Sequence, residues 1–141
     1  SRPMKSTSPE GARAPIVKSV GLGVLVTLLL AGLFAGSKAA AAAELVLFES
    51  DTCEWCERFH KEVGPAYPNT AESKCAPLRR IDIDDPRPDD LVHIKGIVFT
   101  PTFVLIEDGE EVSRLTGYPG EDFFWSLLDR DLKKLRHPCP G

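Results

Sequence analysis

Cys53 and Cys56, in the stretch DTCEWCE (residues 51–57), are separated by two residues, a spacing at which two sulfurs can bond to each other and open again. The chemistry such a pair offers is thiol–disulfide exchange, in which a thiolate attacks a partner's sulfur and a second thiol resolves the mixed disulfide. At the start of a helix the first cysteine meets unpaired backbone N–H groups and the positive end of the helix dipole, which favour a thiolate. Cys53 is therefore the expected nucleophile, and Cys56, one turn on and less exposed, the resolving thiol. Three carboxylates, Asp51, Glu54 and Glu57, surround the pair and oppose a further negative charge, with Arg58 and His60 as partial offsets. A weakly stabilised thiolate makes the reduced form less favoured, so the pair reads as an electron donor.

The flanking residues supply the elements that must hold this pair. Glu44 to Ser50 (ELVLFES) is a short, nearly continuous apolar run, suited to a strand buried on both faces, and it leads directly into the cysteines. Trp55, Cys56, Phe59 and Val63 recur at helical spacing until Gly64-Pro65. Pro77 to Asp85 alternates imperfectly through Leu78, Ile81 and Ile83 and predicts a second strand. A short helix is expected after Pro88, through Leu91, Val92 and Ile94 to Gly96. Phe103–Ile106 and Val112–Leu115 read as a hairpin about Asp108-Gly109. Phe124, Leu127, Leu128, Leu132 and Leu135 make the stripe of a last helix, acidic in its first turn and basic in its last. The order strand-helix-strand, helix, strand-strand-helix predicts an α/β fold: a mixed sheet with helices on both faces.

The first 43 of the 141 residues differ in kind from the rest. Scattered bases, the apolar run Val20–Gly36 and the small-residue stretch SKAAAAAE follow the order of an export signal, so residues 1–43 are expected to be a cleaved signal peptide or a retained membrane anchor. The domain is expected over residues 44–136, with a tail at 137–141. Five of the 17 Lys and Arg but only one of the 21 Asp and Glu lie in the first segment, which leaves the remainder at a net charge of −8. That balance argues against nucleic acid or anionic lipid as the main partner. The body holds enough Leu, Val, Ile and Phe to build a core without disulfides.

The strand, the CEWC helix, the hairpin FTPTFVLIEDGEEV, Gly117 and the terminal helix together resemble the thioredoxin family over nearly all of Glu44 to Leu135. The resemblance implies a thioredoxin fold on a four-stranded sheet, a cis peptide bond at Thr100-Pro101 beside the cysteines, and no cofactor or metal. It further implies that Thr100 offers backbone groups to an extended substrate segment and that Gly117 leaves room for it. More narrowly, CEWCERFHKEV, APLRRIDID, TPTFVLIEDGEEVSRLTGYPGEDFFWSLLDR and the export signal resemble the periplasmic thioredoxin-like SoxS proteins of bacterial sulfur-oxidation systems. This implies a monomeric periplasmic reductase of a cysteine on a sulfur-carrier protein, fed by a membrane thiol transporter. Its potential is expected nearer thioredoxin's roughly −270 mV than the roughly −120 mV of the strong periplasmic oxidant. Two positions depart from the family pattern. Leu47 stands where thioredoxins usually have a buried aspartate, which leaves Glu49 or a water as proton acceptor for Cys56. Arg80 takes the place of the family's partner lysine, and its counter-ion is not evident.

Other readings of the same residues remain open at this level. Cys53, Cys56 and His60 have spacing that suits three metal ligands. The pair is also open to reading as an inert structural disulfide, and Cys75 and Cys139 as a mutual disulfide or as two unengaged thiols. Trp55 is expected to shield the site or contact substrate, and Trp125 to pack the terminal helix. His93 and His137 read as surface residues, and DIDDPRPDD (residues 82–90) as a solvated loop. The functional alternatives are an exported reductase of cytochrome c assembly and a metal- or peptide-binding module of the same fold without turnover.

Overall fold

The computed structural model describes residues 43–139 and the isolated residues 3, 4 and 11; apart from these, the expected export segment lies outside the described residues. Strand β1 (Ala43–Glu49) is buried along almost its whole length, as its unbroken apolar run requires. Helix α1 (Glu54–Glu62) follows and carries the chain over the sheet, so that β2 (Leu78–Asp82) returns parallel to β1. Between them the chain makes a 3-10 turn at Tyr67–Asn69 and a short helix α2 (Ala71–Cys75). Strands β3 (Thr102–Glu107) and β4 (Glu110–Thr116) form the hairpin, and helix α3 (Glu121–Leu132) closes the fold.

The strand order is β2-β1-β3-β4, with β3 antiparallel to both of its neighbours. This is a mixed four-stranded sheet of thioredoxin type. Asp108 and Gly109 both have positive φ (50° and 82°), the backbone a two-residue hairpin turn needs to match the strand twist, and a register shift follows at Leu105/Ile106.

The period-two pleat sorts the two central strands into two cores. Leu45, Leu47, Phe103 and Leu105 face the three α-helices, where Phe59 and Val63 of α1 and Phe124 and Leu128 of α3 meet them. Val46, Phe48, Val104 and Ile106 face the other way, onto Leu91 and Ile94. Phe59 is fully buried, and Phe103, Tyr118 and Phe124 lie edge-on to it with ring centroids 4.9 to 5.7 Å away. Such packing pins α1, and with it the cysteines, to the end of β1.

Three sequence expectations change on the structure. The helix expected after Pro88 is a single 3-10 turn, Asp89–Leu91, so the second face of the sheet is covered by that turn and the chain around it. Pro86 and Pro88 upstream and Gly96, at φ +72°, downstream bound the segment. The turn and helix between Tyr67 and Cys75 were not expected; Thr70 caps α2 by accepting from the Ser73 N–H at 3.1 Å, and Tyr67 Oη donates to the Ala76 carbonyl at 2.6 Å. The second strand stops at Asp82, whose carboxylate accepts from the Asp84 N–H and turns the chain, so Ile83 lies outside it, exposed.

Cys75 and Cys139 form a disulfide across 64 residues. The C-terminal segment is held a second time at Glu107, which is buried and accepts from the backbone N–H groups of Arg136 (2.9 Å) and His137 (2.8 Å). His137, expected as a plain surface residue, is exposed but also bonds Glu107 through its ring. His93 is exposed and bonds the Gly109 carbonyl, and Trp125 stacks on Tyr67.

Candidate active site

Cys53 is the N-cap of α1. Its N–H donates to the Ser50 carbonyl, its own carbonyl accepts from Glu57 N–H, and its Sγ accepts from the Cys56 N–H at 3.1 Å. The sulfur therefore sits on the free donors of the first helical turn, where a thiolate is best stabilised. Cys53 and Cys56 are joined as a disulfide with Cα atoms 5.2 Å apart, the oxidised form of the pair. Both cysteines are buried in the oxidised pair, Cys53 at 8% exposure and Cys56 at 2%.

The loop before β3 comes up beside this turn. The Thr100-Pro101 peptide bond is cis, as the family resemblance implies, and Pro101 is buried. Thr100 Oγ1 lies 3.4 Å from Ser50 Oγ, which ties the proline loop to the residue ahead of the cysteine turn. Gly117 N–H donates to the Pro101 carbonyl at 2.7 Å. Gly117 has φ +88°, which an L side chain rarely adopts, and the space where its Cβ would stand is open. Phe99 and Val98, next to the loop, are exposed. Trp55 is half exposed, with the Arg58 guanidinium 5.5 Å above its ring, so it faces outward beside the pair instead of covering it.

On the other side of the disulfide an open cleft of about 390 Å³ is lined by both cysteines together with Glu49, His60, Arg80 and Asp82. Leu47 is fully buried among apolar side chains, so the place of the family's aspartate holds no proton acceptor. Two residues on, and hence on the same face of β1, the nearly buried Glu49 carboxylate takes over the polar position. Its Oε1 accepts from Arg80 Nε at 2.5 Å and its Oε2 bonds His60 Nε2. Arg80, whose counter-ion the sequence did not reveal, is thus paired with Glu49 across neighbouring strands. His60 points to that carboxylate, and among the described residues no three His, Cys, Asp or Glu side chains gather as a metal site.

Arg58 is bound elsewhere. It donates to Glu62 Oε1 at 2.8 Å, and Tyr118 Oη donates to Glu62 Oε2 at 2.6 Å. The tyrosine bond, and after it the arginine bond, hold the Glu62 carboxyl below its ordinary range. Arg58 bonds Glu62 and His60 bonds Glu49, so neither makes a direct ion pair with Asp51, Glu54 or Glu57.

The site therefore brings Cys53, Cys56 and Glu49 to one cleft and Thr100, Pro101 and Gly117 to one loop contact, with Trp55 at the rim. Reading the sequence did not connect Arg80 or His60 to Glu49, nor single out Ser50. The available signals were the i,i+4 spacing of Cys56 and His60 on α1 and the Glu49 side chain's alternation with Leu45 and Leu47.

A helix-capping cysteine pair beside a cis-proline loop on a four-stranded mixed sheet defines a thiol–disulfide oxidoreductase of the thioredoxin type. The model of the thioredoxin-like domain family matches residues 37–130, and the chain belongs to that family. Among solved structures, the reduced periplasmic thioredoxin SoxS from Paracoccus pantotrophus is 43% identical, with a TM-score of 0.62, over 65% of this chain and 97% of that one. A thioredoxin from Fasciola hepatica (22% identity, TM-score 0.51, 77% and 92% of the two chains) shares the fold. So does a thioredoxin-fold protein from Helicobacter pylori (21%, 0.52, 63% and 68%). No curated protein matches the chain. Among the described residues no helix is long and apolar enough to cross a membrane.

Proposed function

We propose that the protein is a periplasmic reductase that delivers two electrons through Cys53 and Cys56 to a disulfide of a sulfur-carrier protein, with a membrane thiol transporter as its source of electrons. The observation that carries this reading is the 43% identity to the periplasmic thioredoxin SoxS over 97% of that chain. The carboxylates Asp51, Glu54 and Glu57 around the pair support the donor direction, since they disfavour the Cys53 thiolate and hence the reduced state.

In the reaction, the Cys53 thiolate attacks one sulfur of the partner's disulfide and the other partner sulfur leaves as a thiolate. Glu49 accepts the proton of Cys56. The Cys56 thiolate then attacks Cys53 Sγ, the Cys53–partner bond breaks, and the second partner sulfur leaves with the electron pair. The cysteine pair ends oxidised, and the partner gains two electrons and two protons, one released by Glu49 and one from the solvent that earlier took up the Cys53 proton. The exposed rim of Trp55 and Phe99 receives the partner, Thr100 pairs with its backbone, and Gly117 leaves room for the chain.

Trapping tests the assignment. Cys56→Ser removes the resolving thiol, so partners accumulate as mixed disulfides on Cys53 and are named by mass spectrometry from the native host. A sulfur-carrier protein in the trap supports the reading; trapped proteins of cytochrome c assembly alone replace it.

A further inference from the structure

The proposed reduction needs a place for the Cys56 proton between the two sulfur transfers, and Glu49 has a second partner whose purpose charge balance does not explain. Arg80 already neutralises the carboxylate through Oε1 and, as a guanidinium, cannot give up or take a proton at ordinary pH. His60 bonds the other oxygen, Oε2. It lies one helical turn after Cys56, on the same face of α1, so Cys56, Glu49 and His60 line the same cleft. Phe59, edge-on at 5.4 Å, flanks the imidazole.

We propose that His60 shares the resolving proton with Glu49, so that the two side chains form one acceptor. This rests on the oxidoreductase reading above. The Cys56 S–H gives its proton to the pair, where the hydrogen bond between Oε2 and Nε2 holds it. The Cys56 thiolate attacks Cys53 Sγ, the Cys53–partner S–S bond breaks, and the departing partner thiolate takes up that proton from the pair. The pair ends as it began, and only the sulfurs change oxidation state.

Imidazole is the side chain suited to exchanging a proton near neutrality, and a carboxylate beside it fixes its orientation and tautomer. The charged groups that share the cleft are Glu49 from β1, Arg80 and Asp82 from β2, Asp85 beyond it, Asp51 from the preceding turn, and Glu57 from α1. Lys61 is His60's exposed neighbour on the helix. Arg80 is the cation fixed at the carboxylate, and it leaves Oε2 to the histidine.

The test is single-turnover oxidation of the reduced protein by hydroxyethyl disulfide, followed by tryptophan fluorescence across pH, which separates attack by Cys53 from resolution by Cys56. In the wild type the resolving step follows an ionisation that both His60→Gln and Glu49→Gln displace. His60→Gln slows that step about tenfold, less than the hundredfold or more typical of losing a general base, because the carboxylate remains. In His60→Ala, added free imidazole restores the rate. A His60→Gln protein that resolves with the wild-type rate and pH profile overturns the inference while leaving the oxidoreductase reading intact. So does a slow His60→Ala protein that imidazole does not rescue and whose pH profile is unchanged. A wild-type protein that does not react with the disulfide at all overturns that reading and this inference together.

Discussion

Glu49 and Arg80 form an ion pair at 2.5 Å across neighbouring parallel strands, in the cleft that also holds Cys53 and Cys56. The carboxylate is nearly buried and the guanidinium largely exposed, so the arginine keeps a charge in place that would otherwise be costly to hold there. Leu47 occupies the position of the family's aspartate, and the polar side chain on that face of β1 is Glu49, two residues along.

Replacement of that carboxylate separates its chemistry from its packing. Glu49→Gln is nearly isosteric and can still bond Arg80, so the fold persists while turnover of insulin disulfides falls about 10²-fold. Steady-state insulin reduction with dithiothreitol as electron source, with Cys53→Ser as the inactive control, checks this. Wild-type turnover in Glu49→Gln removes the carboxylate from the mechanism.

How far the sequence alone carried this picture depends on the range of each contact. Cys53, Cys56 and the Asp108-Gly109 turn are local features whose chemistry is complete within a few residues, and all three stand where the pattern placed them. Strands β1 and β3 were legible because burial on both faces leaves an unbroken apolar run. The Tyr67–Cys75 segment was not, since a 3-10 turn and a five-residue helix are too short to show a period. Neither was the partner of Arg80, because Glu49 lies 31 residues away and only the parallel pairing of β1 with β2 brings them together. Pairing of Cys75 with Cys139 likewise depends on where α3 delivers the chain end.

The proposed direction of electron flow rests on the carboxylates beside the pair. Asp51→Asn combined with Glu57→Gln removes two negative charges from the cleft, favours the Cys53 thiolate and so stabilises the reduced form. The potential of the double variant rises by about 15–30 mV, measured against a glutathione buffer. A shift to more negative values contradicts the electrostatic argument.

The second disulfide ties the C-terminal segment to the end of α2. In the chain-entropy account, closing a loop of this length stabilises the fold by about 4 kcal/mol, and native-state effects usually reduce the realised figure. Cys75→Ser with Cys139→Ser therefore lowers the unfolding free energy by about 2–4 kcal/mol in urea, while insulin reduction at 25 °C stays at the wild-type level. Loss of reductase activity in the folded double variant assigns the second pair a redox role.

Glu107 couples the C-terminal segment to acid stability. The His137 N–H bonded to its carboxylate, joined by the Arg136 backbone and both side chains, outweighs burial and lowers its pKa from an ordinary 4.5 to about 2. A carboxylate depressed in the folded state contributes stability that is fully present above 4.5 and is lost as the pH falls from there toward 2. Thermal unfolding at pH 7 and pH 3 is the check. The wild type loses stability between them, and Glu107→Gln, less stable at pH 7, loses less. Equal losses in the two proteins show that this carboxyl is not the group responsible.

The account depends most on Cys53 and Cys56 forming a reducing couple, and equilibration of the purified domain with defined ratios of reduced to oxidised glutathione or dithiothreitol measures that directly. A midpoint near roughly −270 mV, lost in Cys53→Ser, is the predicted result; a midpoint above about −180 mV contradicts the assignment as an electron donor.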